Sequence, residues 1–261
     1  LIVADEGVRM RIAVCIKQVR EVSRYLEFTP DGRQIDEAFV TTSVNEADLC
    51  AVEAALRLRE AAGGEVVLLS VGEDDAEEAL RAGLAMGPER AVRVWAEGVA
   101  VTDPVSVGSS LAQAIMAEAF DLVLCGVQSS DTGQQSTGPV VAAAWGVPWI
   151  TVAKSVDVAG STLTAHREFE AGLTEIVEVD LPALVTIQVG ANEPRYGSFK
   201  EKIRAKKAEI PVFAPTVHEP PRTTVTRMSG AVAGSGRNLD MIDGGPAEVA
   251  ARILHLVREG T

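Results

Sequence analysis

The stretch from Gly126 to Pro139, GVQSSDTGQQSTGP, gathers small hydroxyl and glycine residues where an apolar strand ends and a helix begins at about Thr137. Gly126, Gly133 and Gly138 let backbone approach a bound group closely. Ser129, Ser130, Thr132, Ser136 and Thr137 add hydroxyls beside the free N–H groups of a helix start, and that donor set suits a phosphate. The stretch contains no GK[ST] and no GxGxxG, so it is neither a Walker loop nor a dinucleotide fingerprint. An ordinary polar loop with an N-cap would use the same residues.

Other chemistry finds little support. No GxSxG elbow is present, and Ser129 or Ser130 has no histidine partner except His166, which lies in a strand-like stretch. Asp74, Asp75, Glu77 and Glu78 read as the solvated first turn of a helix, where the dipole favours negative charge. Cys15, Cys50 and Cys125 stand far apart without a CxxC pair, as do His166, His218 and His255, so no two sit at metal-ligand spacing. Three unpaired thiols fit a reducing compartment, and the first nine residues lack the charge, apolar and cleavage order of a signal peptide. A cytoplasmic location is expected.

The elements that would hold the glycine- and hydroxyl-rich stretch are readable from periodicity. Arg11 to Lys17, RIAVCIK, is a nearly continuous apolar run with β-branched residues, the pattern of a strand buried on both faces. The segment from Asn45 to Ala62 places Ala47, Leu49, Val52, Ala55 and Leu56 at helical spacing, and Gly63-Gly64 stops it. The unit then repeats: strand Glu65 to Val71, helix Asp74 to Met86, strand Ala91 to Trp95, helix Pro104 to Ala119, strand Asp121 to Gly126. Strands alternating with such helices need crossovers. They predict an α/β fold with a doubly wound, mostly parallel sheet that binds ligands at the carboxyl ends of its strands.

From Trp149 the pattern changes to polar-alternating strands, Ser161 to Glu168 and Thr174 to Val179, expected to be antiparallel at an edge, followed by the apolar strand Ala183 to Val189. Beyond Ala214 the chain is rich in Pro, Thr, Gly and Ser until a terminal helix starts at Pro246 with Val249, Ile253, Leu254 and Val257 on one face. The expected organisation is residues 1–9 as an upstream extension or remnant, 10–214 as the nucleotide-binding α/β domain, and 215–261 as a linker and helix. That helix would clasp another subunit or pack back on its own core.

With 261 residues, 47% hydrophobic and 23% charged, the chain has material for one sizeable core and no apolar run long enough to span a bilayer. A net charge of -13 disfavours nucleic acid and anionic membranes. The local exception is Lys200 to Lys207, which holds five of the 24 basic residues as a solvated helix face or a docking edge.

Several long pieces in order resemble one family: AVCIKQV, VNEADLCAVEAALRLRE, LAMGPERAV, GVQSSDTGQQSTGP, REFEAGLTEIVEVDLPALVT and ANEPRYGSFKEKIRAKKAEI. From Met10 to about Ile210 the chain is similar to the β subunit of electron transfer flavoproteins. That resemblance implies a Rossmann-like fold of the adenine-nucleotide-binding type with an antiparallel edge and an extended C-terminal arm. It also implies an α-subunit partner carrying the FAD, and a structural AMP in this chain, which itself catalyses no bond chemistry.

Carried onto this sequence, the resemblance sets the AMP against Cys15, the turn Asn45, Glu46, Ala47 and Asp48, Val71, and the run Gly126, Val127, Gln128, Ser129, Ser130, Asp131, Thr132, Gly133, Gln134, Gln135, Ser136 and Thr137. Asn45 is expected to act as an N-cap. The resemblance further implies a recognition loop from Arg195 to Arg204, with Arg195, Tyr196, Gly197, Ser198, Phe199 and Lys200 reaching a flavin-dependent dehydrogenase such as an acyl-CoA dehydrogenase. By that resemblance Phe199 stands where the best-known members carry an anchoring leucine. It would be an exposed anchor or be tucked onto its own helix.

Some family members hold a second FAD in place of AMP and split electron pairs. Ser136-Thr137-Gly138, NEPRY and RAKK resemble the AMP type, whereas Thr102 to Ser109, TDPVSVGS, partly resembles the loop that holds the second flavin's phosphates. Rival readings are a stand-alone nucleotide-binding stress-type protein and a nucleotide-dependent ligase or hydrolase, neither of which needs the NEPRY-to-RAKK segment.

Overall fold

A computed structural model describes residues 10–22, 27–216, 225–228 and 242–259. The chain divides into two compact units, residues 1–228 and 229–261. Residues 1–9 and most of the expected linker lie outside the described residues.

The first unit runs β1 (Met10–Cys15), β2 (Gln18–Val22), β3 (Val40–Val44), α1 (Glu46–Ala62), β4 (Gly64–Val71), α2 (Ala76–Leu84), β5 (Arg90–Val94), α3 (Pro104–Glu118), β6 (Leu122–Gly126) and α4 (Thr137–Trp145). It continues with β7 (Trp149–Ala159), β8 (Thr162–Glu168), β9 (Thr174–Asp180), β10 (Ala183–Ile187), α5 (Phe199–Lys207) and β11 (Val212–Phe213). One nine-stranded sheet has the order β11-β5-β4-β1-β6-β10-β7-β8-β9, parallel from β11 to β7 and antiparallel through β8 and β9. The mostly parallel α/β architecture with an antiparallel edge is thus borne out.

Alternation along the central strands builds two cores. Ile12, Val14, Val66 and Leu68 pack with α1 and α2, whereas Ala13, Cys15, Val67 and Leu69 pack with α3 and α4. Side chains on a strand point alternately to opposite faces, so an unbroken apolar run is what a strand covered by helices on both sides requires. Leu56 and Leu80 are fully buried, each contributing ~1.5–3 kcal/mol from burial. Gly63, at φ 77, ends α1 by donating its N–H to the Arg59 carbonyl at 2.8 Å.

The structure departs from expectation in three places. The charged stretch after β1 holds an antiparallel hairpin, β2 paired with β3 from Gln18–Val44 to Val22–Val40, in which all residues but Val19 are exposed or half-buried, leaving no apolar signature. β7 is eleven residues long and begins at Trp149, before the first polar strand expected there. The expected recognition loop becomes α5 from Phe199 onward, because Ser198 and Glu201 form a reciprocal capping box that starts a helix there.

The second unit's described part includes α6 (Pro246–Glu259), which starts at the proline as predicted. Among the described residues no helix is long and apolar enough to cross a membrane.

Candidate functional site

From β1 the chain winds to β4 and β5 on one side, then returns through α3 to β6 on the other side of β1. The strand order therefore reverses between β1 and β6, and in open α/β sheets the crevice outside the carboxyl ends at such a point is where ligands bind. The Gly126 to Thr137 loop leaves β6 at that position and leads into α4.

Asp48, in the first turn of α1, ties the crevice together. Its Oδ2 accepts the Lys17 N–H and its Oδ1 accepts the Gly126 N–H, both at 2.8 Å, so one side chain bridges the ends of β1 and β6. Burial pushes its carboxyl up to about 7, against the lowering effect of hydrogen bonds from Asn45, Gly126 and Lys17. A Cβ at Gly126 would lie 2.3 Å from Asp48 Oδ1 and 2.7 Å from the Ala47 Cβ, which makes glycine a steric requirement here.

Asn45 is the N-cap residue of α1, as expected, but its side chain makes no capping bond. Its amide is drawn across to the loop instead: Nδ2 donates to the Gln128 carbonyl at 2.9 Å and Oδ1 accepts the Ser130 N–H at 3.3 Å. Beside it, Lys17 Nζ reaches Asp131 Oδ1 at 2.6 Å, Ser129 Oγ at 3.4 Å and Thr132 Oγ1 at 3.5 Å. Burial works against the Asp131 carboxylate, but the bonds from Lys17 and Ser129 prevail and hold it below its usual value. The Ser129 and Thr132 hydroxyls are 2.8 Å apart, and Gln135 Nε2 donates to Gln128 Oε1 at 2.7 Å.

The loop and Lys17 together present an ammonium, two hydroxyls and the start of α4, where the Ser136 side chain makes no cap bond. This set fits a phosphate, which would compete with Asp131 for Lys17. Gly138 brings α4 against the sheet; a Cβ there would meet Thr186 Cγ2 at 2.7 Å and Cys125 Sγ at 3.0 Å.

The remaining expected residues fall unevenly. Ala47 is buried, whereas Glu46, Gly133 and Gln134 are exposed. Val71 ends β4 next to Val94 of β5. Cys15 stands beside Cys125 in register with its thiol in the core, pushed up to about 12 by burial and by the charge of Asp48, so only its strand end faces the crevice. Lys17 was missed by sequence reasoning; its signal is a cation at the end of an otherwise apolar strand run.

A second cluster gathers at the far end of α1. Glu53 is 3% exposed. Its Oε2 accepts Arg195 Nε at 2.7 Å and the Arg195 backbone N–H at 3.3 Å; its Oε1 accepts Arg57 Nε at 2.7 Å and Arg195 Nη2 at 3.1 Å. Glu60 takes the outer side of the same guanidinium. Tyr196 follows at 95% exposed, and Phe199 stands out at 81% exposed rather than tucked onto its helix. Between them Gly197 packs so closely on α2 that a Cβ would lie 1.8 Å from the Ala85 carbonyl oxygen. Arg81 donates to the carbonyls of Ala205, Lys206 and Ala208, and Arg204 to those of Leu84 and Pro88, fixing α5 on α2.

Residues 33–218 match the electron transfer flavoprotein domain family. Over 262 aligned residues, covering 96% of this chain and 98% of the relative, the sequence is 36% identical to an electron transfer flavoprotein subunit beta of Methylophilus methylotrophus. The chain belongs to the electron transfer flavoprotein β-subunit family. A subunit beta from Megasphaera elsdenii is 36% identical over 77% of each chain, and a Protein FixA from Azorhizobium caulinodans is 36% identical over 78% of this chain and 75% of its own. Electron transfer flavoprotein β subunits are electron carriers rather than bond-making enzymes, and they serve with an α subunit in a complex that uses flavin. Both clusters, the crevice and the α1-to-α5 edge, lie within the family match apart from Cys15 and Lys17.

Proposed function

We propose that this β subunit binds AMP in the crevice between β1 and β6, pairs with an α subunit that carries FAD, and docks a flavin-dependent dehydrogenase such as an acyl-CoA dehydrogenase through Arg195 to Lys200. The observation that carries the nucleotide assignment is the convergence of Lys17, Asn45, Asp48 and the Ser129-to-Thr132 turn on one crevice at the switch point. The α subunit's FAD supplies the redox chemistry. This chain's residues bind, orient and dock.

The crevice residues divide the work. Lys17, Ser129, Thr132 and the start of α4 would hold the phosphate, while Cys15, Asn45 to Asp48, Val71 and Gly126 to Gln128 would wall the nucleoside. AMP is favoured over a second FAD because Asp103 and Ser106, in the segment that partly resembles a flavin loop, are used internally. Asp103 Oδ1 accepts the Val105 N–H at 3.0 Å, and Ser106 Oγ accepts the Ala100 N–H at 2.9 Å. A carboxylate already capping α3 opposes a phosphate at the same helix start.

Residues 10–214 form the nucleotide-binding domain in this reading, and residues 215–261 an arm that packs on the α subunit. The arm assignment is supported by the pattern of α6, which sets Val249, Ile253, Leu254 and Val257 on one apolar face that calls for a partner.

The test is to co-express the chain with its α subunit, denature the purified complex, and quantify the nucleotides released. One FAD and one AMP per heterodimer is the expected result. Two FAD would overturn the AMP assignment, and absence of flavin would overturn the pairing itself.

A further inference from the structure

We propose that Glu53 is a positioning residue for partner docking: through Arg195 it fixes the backbone from which Tyr196 and Phe199 project. The inference rests on the docking role proposed above and names the groups that enforce it.

Tyr196 and Phe199 are almost wholly exposed, so burial contributes little to holding them in place. An exposed aromatic binds well only if its backbone is already fixed, because ordering it on contact costs affinity. The chain supplies that order just before and just after Tyr196. Before it, Arg195 places its guanidinium between Glu53 and Glu60 of α1 and donates its own backbone N–H to Glu53. After it, Gly197 is seated on the Ala85 carbonyl, and Ser198 starts α5 through its capping box with Glu201.

Of these restraints, Glu53 is the demanding one. Its carboxylate is buried, receives both Arg195 and Arg57, and accepts a main-chain N–H as well as the guanidinium. It therefore sets the path of the backbone as well as the direction of a side chain. Glu60 is half exposed and meets Arg195 through the guanidinium alone, with no bond to its main chain. Glu53 and Glu60 are seven residues apart on α1, which places them on one helix face two turns apart, spaced to bracket one guanidinium.

The test uses the complete heterodimer carrying Glu53→Gln, which keeps the side chain's size and removes its charge. Hydrogen exchange of the peptide covering residues 193–199 reads loop order without any partner. Steady-state reduction by a purified acyl-CoA dehydrogenase, itself reduced by its acyl-CoA, reads docking. Expected are local exchange faster by about tenfold or more, since hydrogen bonds to charged groups are at stake, and a higher KM for the dehydrogenase with kcat unchanged. The flavin content should not change, and Glu53→Asp should recover part of the KM.

Unchanged exchange at residues 193–199 would overturn the positioning role. Faster exchange with an unaltered KM would overturn the docking reading while leaving Glu53 as the residue that orders the loop. Should Glu53→Gln fail to fold, Arg195→Gln in the heterodimer removes the guanidinium through which Glu53 acts and should raise exchange at the same residues. Unchanged exchange there would overturn the proposal.

Discussion

Asp48 Oδ1 accepts the Gly126 N–H at 2.8 Å across a gap that no side chain at position 126 could share. The carboxylate and the glycine are a matched pair, one supplying an acceptor and the other the room to reach it. With the Lys17 N–H on the other oxygen, this contact sets the width of the crevice between β1 and β6. Its titration has a measurable consequence. Asp48 is raised from 3.8 to about 7, so folding takes up a proton between roughly pH 4 and pH 7. The associated stability, on the order of 4 kcal/mol, is complete below the unfolded value and is lost as pH rises through about 7. Thermal unfolding of wild type and Asp48→Asn heterodimers should converge or cross as pH rises through that window. Parallel curves would refute the assignment.

Gly126→Ala should be more damaging than its single methyl suggests. The new Cβ would press on Asp48 Oδ1 and Ala47 together, and overpacking of this kind costs ~1–3 kcal/mol. The expected outcome is a lower midpoint in urea and loss of bound AMP from the purified complex. A variant retaining full AMP would show that the crevice tolerates widening.

Lys17 and Asp131 should act in opposite directions on nucleotide affinity. Lys17→Gln removes the ammonium offered to the phosphate, weakening AMP about tenfold or more, the size expected for a charged hydrogen bond. Asp131→Asn frees Lys17 from its 2.6 Å partner and removes a repelling charge, so affinity should rise. Calorimetric titration of nucleotide-stripped heterodimer with AMP distinguishes the two. Equal losses from both variants would mean that the ion pair shapes the loop and does not meet the phosphate.

Phe199→Ala should slow electron transfer from a reduced acyl-CoA dehydrogenase while leaving the heterodimer, its flavin and its melting temperature intact, because the ring is 81% exposed. Truncating a central aromatic contact costs about 2 kcal/mol or more of binding. Rapid-mixing kinetics at several dehydrogenase concentrations measure it. Unaltered kinetics would remove Phe199 from the interface.

The readable and unreadable parts of this chain separate by the range over which residues act. Arg11 to Lys17 and Glu65 to Val71 revealed themselves as strands because burial on both faces demands an unbroken apolar run. β2, QVREV, did not, because only Val19 of its five residues is buried. The Gly126 to Thr137 loop was visible from local composition. The role of Lys17 was not, since it depends on β6 lying beside β1, more than 100 positions along the chain. Asn45 looked like a helix cap by type and position, yet a distant carbonyl and amide claimed its side chain. The Glu53–Arg195 pair joins residues 142 positions apart and leaves no local trace beyond two acidic residues on one face of α1.

The outward stance of Phe199 also bears on how such a chain changes over generations. The ring covers no core residue and completes no hydrogen bond, so the fold places almost no constraint on what occupies that position. Lineages can exchange the side chain there without passing through an unstable ancestor. In the docking role proposed for Phe199, the scaffold can stay the same while the side chain offered to the partner changes.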